Sequence, residues 1–302
     1  MTQITAKVIA HSKSSANGKE IITMELEYPR FIHGEFMTHR MFSRNAASSR
    51  AIPVNKMIEQ VWNGPAKPVH WGKNQAGMQA KEELEDVALC LVKGYWEDAA
   101  HYAASFARQM NQEGAHKQIV NRILEPFQTM KTVVTATEWE NFYWLRNHED
   151  AQPEIKRLAE VMLEAVKEST SLNLKVGEWH VPYYGEGYWK HRDSCSVEDA
   201  LTISASCCAQ VSYRLLDDSI EKARMVYKRL VESSPVHASP FEHQASPMGT
   251  TSGLYGFNND EVPHDYWEDG VTHMDSGYKF WSGNFQSWIQ HRQLIPNNVK
   301  RG

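Results

Sequence analysis

Two β-branched segments near the start of the chain constrain its fold most. Residues 3–10 read QITAKVIA and residues 20–27 read EIITMELE, and the segment between them, SKSSANGK, contains an Asn-Gly pair. Partly alternating β-branched residues on both sides of such a turn are typical of an antiparallel hairpin. The segment TMKTVVTAT, residues 129–137, is rich in Thr and Val and predicts a further strand.

Helical patterns fill most of the remaining chain. An apolar stripe at helical spacing follows Pro29 and predicts a helix through about Arg44. The other predicted helices span residues 78–113 (one helix or two joined), 116–126, 138–147, 152–168, 196–214 and 218–233. The aromatic stretch 177–195 reads as a loop between two parts. We therefore expect a core at 1–190 and a C-terminal part at 191–302 that completes the same fold, or one single domain.

The composition excludes several classes of protein. The 302 residues are 41% apolar and 23% charged, which is typical of a globular chain with a substantial core. The net charge of −5 gives no overall basic field for nucleic acid. Four cysteines are too few for a disulfide scaffold, so we expect a reduced, cytoplasmic setting. We also expect no signal peptide and no membrane span, since neither apolar pattern occurs.

The segment from Glu35 to Arg50 carries the most chemistry. It reads EFMTHRMFSRNAASSR and combines one histidine and three arginines with three serines and an asparagine. Arginine offers a planar fork of donors that fits phosphate or carboxylate, and Ser and Asn add short-range donors. The segment indicates either a binding site for a small polyanion or a solvated, Ser-rich loop with surface arginines.

The spacing in this segment resembles a known signature. His39-Arg40, seven residues and Ser48-x-Arg50 are similar to the signature of flavin-dependent thymidylate synthases. Three more blocks resemble that family, namely residues 135–159 (TATEWENFYWLRNHEDAQPEIKRLA), 207–213 (CCAQVSY) and 237–243 (HASPFEH). In the family the last two blocks come first. A second His-Arg-x4-Asn pattern occurs at His291-Arg292, so the order indicates either a circular permutation or two fused, degenerate halves.

The resemblance implies a fold and a reaction. The fold is α/β, with a curved, mainly antiparallel sheet flanked by helices. The reaction is the C5 methylation of dUMP to dTMP, in which NADPH reduces FAD and methylenetetrahydrofolate supplies the carbon. The resemblance further implies a homo-oligomer, a tetramer in the family, whose partners are a pyrimidine deoxynucleotide and folate. The composition leads us to expect no nucleic-acid or membrane partner.

The resemblance also assigns site residues. Ser48 and Arg146 match catalytic positions that contact the pyrimidine nucleotide. Further nucleotide contacts are expected from Arg50 and Arg122, and Glu35 stands where the family has a glutamine near the phosphate. The expected FAD contacts are His39, Arg40, Asn141, Ser212 and His243. His237, Glu242 and His243 could together bind a metal, but a cofactor contact for His243 is favoured and no metal site is expected.

Four departures from the family pattern leave alternatives open. Thr38 replaces the first arginine of the signature, Ala46 replaces its usual acid, and Thr135 and Thr137 replace an Asn and an Arg of the flavin segment. One alternative is therefore the C5 methylation or hydroxymethylation of another pyrimidine nucleotide. The other is a nucleotide-binding protein that has lost flavin chemistry.

Overall fold

The structure is a computed structural model that describes residues 4–211, 216–252 and 267–300. Its helices are His33–Phe36 (α1), Val54–Asn63 (α2), Asp86–Gln112 (α3), Lys117–Val120 (α4), Glu140–Arg146 (α5), Pro153–Glu168 (α6), Val197–Ala209 (α7), Ile220–Val231 (α8) and His291–Leu294 (α9). Short 3-10 helices cover Arg30–Ile32, Asn121–Phe127 and Ser239–Glu242. The strands are Thr5–Ser14 (β1), Glu20–Pro29 (β2), Ser43–Ala46 (β3), Thr129–Ala136 (β4), Leu172–Leu174 (β5), Trp179–His180 (β6), Tyr188–Trp189 (β7), Ala245–Pro247 (β8), His273–Met274 (β9), Phe280–Ser282 (β10), Phe285–Gln286 (β11) and Trp288–Gln290 (β12).

A five-stranded sheet with the order β3-β4-β2-β1-β5 forms the centre of the N-terminal part. The predicted hairpin is present, because β1 and β2 pair antiparallel across the Asn-Gly turn. Strand β4 pairs antiparallel with both β2 and β3, whereas β5 pairs parallel with β1. The expected α/β fold, with mainly antiparallel sheets flanked by helices, is confirmed.

One face of this sheet packs on helices α5 and α6. Alternate residues of β2 and β4 point to this face because successive side chains of a strand lie on opposite sides. They form the main core with the two helices; its fully buried members include Met24, Leu26, Tyr28, Phe36, Val134, Ile155, Leu158 and Met162. Burying each such large apolar side chain contributes about 1.5–3 kcal/mol relative to leaving it exposed.

The other face of the sheet is covered by the C-terminal part of the chain. Thr23, on β2, bonds to His180 on β6, and Val133, on β4, packs with Cys208 and Val211. Strands β12, β8, β6 and β7 form a second sheet in that order, and β11, β10 and β9 form a third. The division into parts at about residue 190 stays a prediction.

Three details of the predicted elements are wrong. The helix expected through Arg44 ends at Phe36, because the backbone of residues 43–46 pairs with β4 instead. The helix expected over 116–126 has a single α-helical turn and continues as a 3-10 helix through Pro126, which has no N–H to donate. The loop expected over 177–195 contains the paired strands β6 and β7.

Candidate functional site

The signature segment is an irregular stretch that buried side chains hold in place. The Arg44 guanidinium donates to the carbonyl oxygens of Phe36 at 3.0 Å and His39 at 2.9 Å, which satisfies groups left open at the end of α1. Beyond β3, the buried Asn121 amide donates to the carbonyl oxygens of Ser49 at 2.6 Å and Ile52 at 3.0 Å. The backbone that carries the candidate site residues is therefore fixed on both sides of β3.

One group of site residues combines Arg146, at the end of α5, with three residues that precede β3, and we call it the Arg146 cluster: Glu35, Thr38, His39 and Arg146. The Nε–H of Arg146 donates to His39 Nε2 at 2.9 Å. Another guanidinium nitrogen of Arg146 lies 3.5 Å from Thr38 Oγ1, and a third lies 4.0 Å from Glu35 Oε2. The structure therefore brings together residues that the sequence assigned separately to the nucleotide and to FAD.

The protonation of His39 follows from its contact with Arg146. Because His39 Nε2 accepts a hydrogen bond from a cation, the imidazole is neutral and carries its proton on Nδ1. Burial, together with the smaller effects of the Arg146 and Arg44 charges, lowers the pKa of His39 to about 4. His39 thus presents a neutral ring at neutral pH.

Arg40 and Asn141 lie on the same two segments as the Arg146 cluster. Arg40 directly follows His39, and Asn141 lies on α5, the helix that ends at Arg146. Both residues are exposed. They are therefore accessible to a ligand that approaches this cluster from solvent.

A second group of residues surrounds the carboxylate of Glu125, and we call it the Glu125 cluster: Arg30, Ser49, Arg122 and Glu125. Glu125 Oε1 accepts hydrogen bonds from Ser49 Oγ at 2.9 Å and Arg122 at 3.1 Å. The same oxygen lies 3.1 Å from a guanidinium nitrogen of Arg30. Two cations share one carboxylate, so the cluster carries a net positive charge.

Ser48 and Arg50 adjoin the Glu125 cluster. Both flank Ser49, and the backbone N–H of Arg50 donates to Ser48 Oγ at 3.3 Å. The Arg50 side chain is exposed, as is 57% of the Arg122 side chain. Ser48 and Arg50 therefore lie on the segment next to Ser49, which shares Glu125 with Arg122; that Arg50 and Arg122 hold one phosphate stays a prediction. Along the chain, the four residues of β3 lie between His39 of the Arg146 cluster and Ser48.

His243 lies at one end of a buried chain of hydrogen bonds. Its Nδ1 is 2.8 Å from Thr135 Oγ1, which lies 2.7 Å from Thr23 Oγ1. Thr23 Oγ1 is in turn 2.8 Å from His180 Nε2, and His180 Nδ1 is 2.8 Å from Ser12 Oγ. Burial lowers the pKa of His243 and of His180 to about 3. His243 is fully buried, and its Nε2 has no hydrogen-bond partner among the described residues.

Residues 2–170 match the family described as thymidylate synthase complementing protein. This span contains the signature, the Arg146 cluster and the Glu125 cluster. The chain belongs to this family, that of the flavin-dependent thymidylate synthases. It is therefore a thymidylate synthase-like methyltransferase.

A comparison with curated proteins finds no match to this family member. Two solved structures are similar to part of it. Both are of the UMP/dUMP methylase PolB from Streptomyces cacaoi. The structure with bound 5-Br UMP is 17% identical, covers 56% of this chain and 90% of that chain, and has a TM-score of 0.47. The structure with bound 5-Br dUMP is 16% identical, covers 56% of this chain and 91% of that chain, and has a TM-score of 0.44.

The remaining expected contacts of this thymidylate synthase-family protein fall elsewhere. Ser212 lies outside the described residues. His237 is exposed, His243 is buried, and Glu242 forms an ion pair with Arg292. Burial raises the pKa of Glu242.

The repeated His-Arg pattern near the C-terminus forms no counterpart of the Arg146 cluster in the described part of the chain. His291 is buried, with its ring edge-on to Trp179 and Phe241. Arg292 is engaged by Glu242 and also donates to the carbonyl oxygen of Asn298 at 3.2 Å. The pattern therefore contributes to the interior rather than to an exposed cationic site.

Several residues of these networks were not predicted as site residues, among them Arg30, Glu125, Thr135 and His180. Arg30 follows the end of β2, and neither it nor Glu125 lies in a motif. Thr135 counted as a departure from the flavin segment, yet it is the residue that contacts His243. His180 lies in the stretch that read as a loop, so the sequence offered no signal for it.

Two further findings concern only the described residues. No helix there combines the length and the apolar character that a membrane crossing needs. No group of three or more His, Cys, Asp or Glu side chains is arranged there to hold a metal ion.

Proposed function

We propose that this protein methylates C5 of dUMP to form dTMP, using FAD, NADPH and methylenetetrahydrofolate. The observation that carries the proposal is the family match over residues 2–170, a span that contains the Arg146 cluster and the net-positive Glu125 cluster. Each cluster suits one end of a pyrimidine nucleotide. The folate and a homo-oligomeric state come to the proposal from the family alone.

The Glu125 cluster and Arg50 would bind the phosphate of the nucleotide. Arg30 and Arg122 exceed the charge of Glu125 by one, and the exposed Arg50 adds a further cation beside them. A phosphate group offers three acceptor oxygens to such donors, and charge-assisted hydrogen bonds are about twice as strong as neutral ones. Ser48, which neighbours Ser49, would contact the nucleotide next to its phosphate.

Arg146 would stabilise the base during the reaction. C5 of the pyrimidine becomes nucleophilic as negative charge develops on the ring, and a fixed cation beside that charge lowers the barrier. The contact with neutral His39 orients the guanidinium without cancelling its charge. The Glu35 carboxylate, whose Oε2 lies 4.0 Å from a guanidinium nitrogen of Arg146, partly balances the Arg146 charge before the nucleotide binds.

The residues around Arg146 fit the anionic parts of FAD. Arg40 is an exposed cation that directly follows neutral His39, and Asn141 is an exposed amide on α5, the helix that ends at Arg146. The bound flavin would supply the hydride. The unpartnered Nε2 of His243 could meet a polar atom of the flavin only if the residues that cover it move aside, since the ring is fully buried.

Binding experiments on the purified protein test both parts of the proposal. Arg122→Ala should weaken dUMP binding by roughly 10- to 200-fold, the effect of removing one charge-assisted hydrogen bond. Binding of deoxyuridine, which has no phosphate, should change little. Arg224→Ala is the matched control, because Arg224 is also an exposed helical arginine paired with a carboxylate. Equal losses for dUMP and deoxyuridine in Arg122→Ala would assign Arg122 a structural role.

The burial of His243 supports a second candidate, a nucleotide-binding protein without flavin chemistry. Absorbance of the purified protein and a flavin-fluorescence titration of apoprotein distinguish the two. The proposed enzyme takes up FAD saturably and converts dUMP, whereas the second candidate binds dUMP and no flavin. Replacing dUMP with UMP and dCMP in the same assay identifies the preferred pyrimidine nucleotide.

A further inference from the structure

A cleft lies between helices α2 and α3, outside the Arg146 cluster and the Glu125 cluster. Its first cavity, of about 310 Å³, is lined by Asn55, Ile58, Glu59, Trp62, Asn63 and Arg108. Asn55 also borders a second cavity, of about 450 Å³, which reaches His116 and Lys117 at the start of α4. Both volumes fall within the range of about 300–1,000 Å³ that small-molecule sites have.

Helix α2 presents one row of side chains to the first cavity. Asn55, Glu59 and Trp62 occupy positions i, i+4 and i+7, which lie on one face of a helix. All three are exposed. At a rise of 1.5 Å per residue, about 6 Å separate the first two along the helix axis and about 4.5 Å the last two. A ligand that lies along this face therefore meets the three side chains in turn.

Trp62 offers an aromatic surface at one end of the row. Of this residue 44% is exposed. The exposed Arg108 guanidinium lies over the indole ring, 5.4 Å from its centroid, and the ring of His101 packs with its centroid 4.7 Å away. Nucleobases stack on tryptophan rings and on guanidinium planes. This end of the cleft therefore suits a planar base.

The polar groups near Trp62 favour a purine attached to a ribose. N7 is an acceptor that adenine and guanine share and that pyrimidines lack. The Asn63 amide can pair with N6 and N7 of adenine, and the Arg108 guanidinium can pair with O6 and N7 of guanine. Glu59, in the middle of the row, can accept hydrogen bonds from ribose hydroxyls, as acidic residues do in dinucleotide sites.

The opposite end of the cleft carries donors for phosphate. Lys117 Nζ donates to the carbonyl oxygen of Ala51 at 3.2 Å, and an ammonium group has two further N–H donors. His116 Nδ1 accepts from the backbone N–H of Gln118 at 3.2 Å, so a neutral ring carries its proton on Nε2 and can donate it. Both residues line the second cavity. Phosphate oxygens there would accept hydrogen bonds, charge-assisted in the case of Lys117.

We propose that this cleft binds a purine nucleoside diphosphate, with the base on Trp62, the ribose beside Glu59 and the phosphates at His116 and Lys117. The order of aromatic, acidic and cationic groups along the cleft is the order of base, ribose and phosphate in such a ligand. The Glu59 carboxylate would repel a 2′-phosphate, so the ligand has a free 2′-hydroxyl and is not NADPH. The site shares no residue with the one proposed for dUMP.

Titration calorimetry with ADP and GDP tests the cleft. At least one of the two should bind saturably, and an excess of dUMP should not displace it. CDP should bind more weakly than the preferred purine nucleotide, because its smaller base lacks N7. For the same reason of repulsion by Glu59, adenosine 2′,5′-bisphosphate should bind more weakly than AMP.

Two variants separate the ends of the site. Trp62→Leu should weaken binding of the purine nucleotide by about 5- to 150-fold, the effect of losing base stacking on an aromatic ring. Lys117→Gln should weaken it by roughly 10- to 200-fold, the effect of losing one charge-assisted hydrogen bond. The matched controls are the exposed Trp144→Leu on α5 and the exposed Lys228→Gln on α8, which should bind as the wild type does.

Circular dichroism confirms that each variant folds. The proposal would be overturned by a lack of saturable ADP and GDP binding or by equal affinity for CDP. Displacement by dUMP would assign the bound ADP or GDP to the dUMP site and overturn it as well. A folded Trp62→Leu variant with wild-type affinity would refute the stacking of the base, and undiminished binding of the 2′,5′-bisphosphate would refute the place of the ribose beside Glu59.

Discussion

Stability should fall steeply as the pH drops from 7.5 to 5.5, because the protein buries neutral histidines. Burial lowers the pKa of His180 and His243 to about 3 and that of His291 to about 4. The same residues have a pKa of about 6.5 when the chain is unfolded. Below pH 6.5 the unfolded state therefore binds more protons than the folded state, and acid favours unfolding.

The size of the effect follows from these pKa values. At pH 5.5 each buried histidine lowers the free energy of unfolding by about 1.4 kcal/mol relative to pH 7.5. The three together lower it by about 4 kcal/mol, a large part of the 5–15 kcal/mol that stabilises a typical domain. The stability that depends on these neutral histidines is fully present above pH 7. It is lost progressively as the pH falls below about 6.5, the pKa of histidine in the unfolded chain.

Urea denaturation at pH 7.5, 6.5 and 5.5 measures the effect. His291→Gln should remove about a third of the loss attributed to the three histidines, whatever its effect on stability at pH 7.5. His148→Gln is the control, because 57% of the His148 side chain is exposed and it should leave the pH dependence unchanged. If His291→Gln leaves the slope as in the wild type, His291 is not buried in a neutral state.

Three further predictions concern the hydrogen-bond networks. Thr135→Val should lower the free energy of unfolding by about 1–3 kcal/mol, since it leaves the buried His243 Nδ1 without a partner, whereas Thr23 Oγ1 keeps its contact with His180. A near-neutral value in urea denaturation would contradict the buried chain of hydrogen bonds. Arg146→Lys keeps the charge but loses the planar fork that meets His39, so kcat/KM for dUMP should fall at least about tenfold; wild-type kinetics would show that charge alone suffices. Glu125→Gln frees two arginines and should tighten dUMP binding several-fold in calorimetry; weaker binding would show that Glu125 instead holds the arginines in place.

The elements that sequence predicts well are those set by local pattern. The β1–β2 hairpin follows from β-branched segments around an Asn-Gly turn, and β4 from a run of Thr and Val. Helices α6 and α8 fall within the predicted ranges because each carries a periodic apolar face. In these cases local preference and tertiary packing agree.

The parts that sequence does not predict depend on distant partners. Residues 37–46 have an apolar helical period, but pairing with β4 makes the end of this segment a strand. Thr135 and His243 are 108 residues apart, so no local pattern links them. The resemblance to the family predicts Arg146 and Arg122 as site residues. Their contacts with His39 and Glu125 depend on the tertiary structure, so no sequence motif predicts them.

Strand β3 lies at one edge of the five-stranded sheet, and this position bears on how the chain can be shortened. Side chains of the C-terminal part engage this edge: Asn284 and Gln290 bond to Ser43, and Asn45 donates to the carbonyl oxygen of Cys208 at 3.3 Å. A chain cut soon after residue 170 would bare an edge strand, which is a ready template for aggregation. A protein built from the equivalent of residues 2–170 alone would need a neighbouring chain to shield that edge, whereas here one polypeptide provides both the signature strand and its shield.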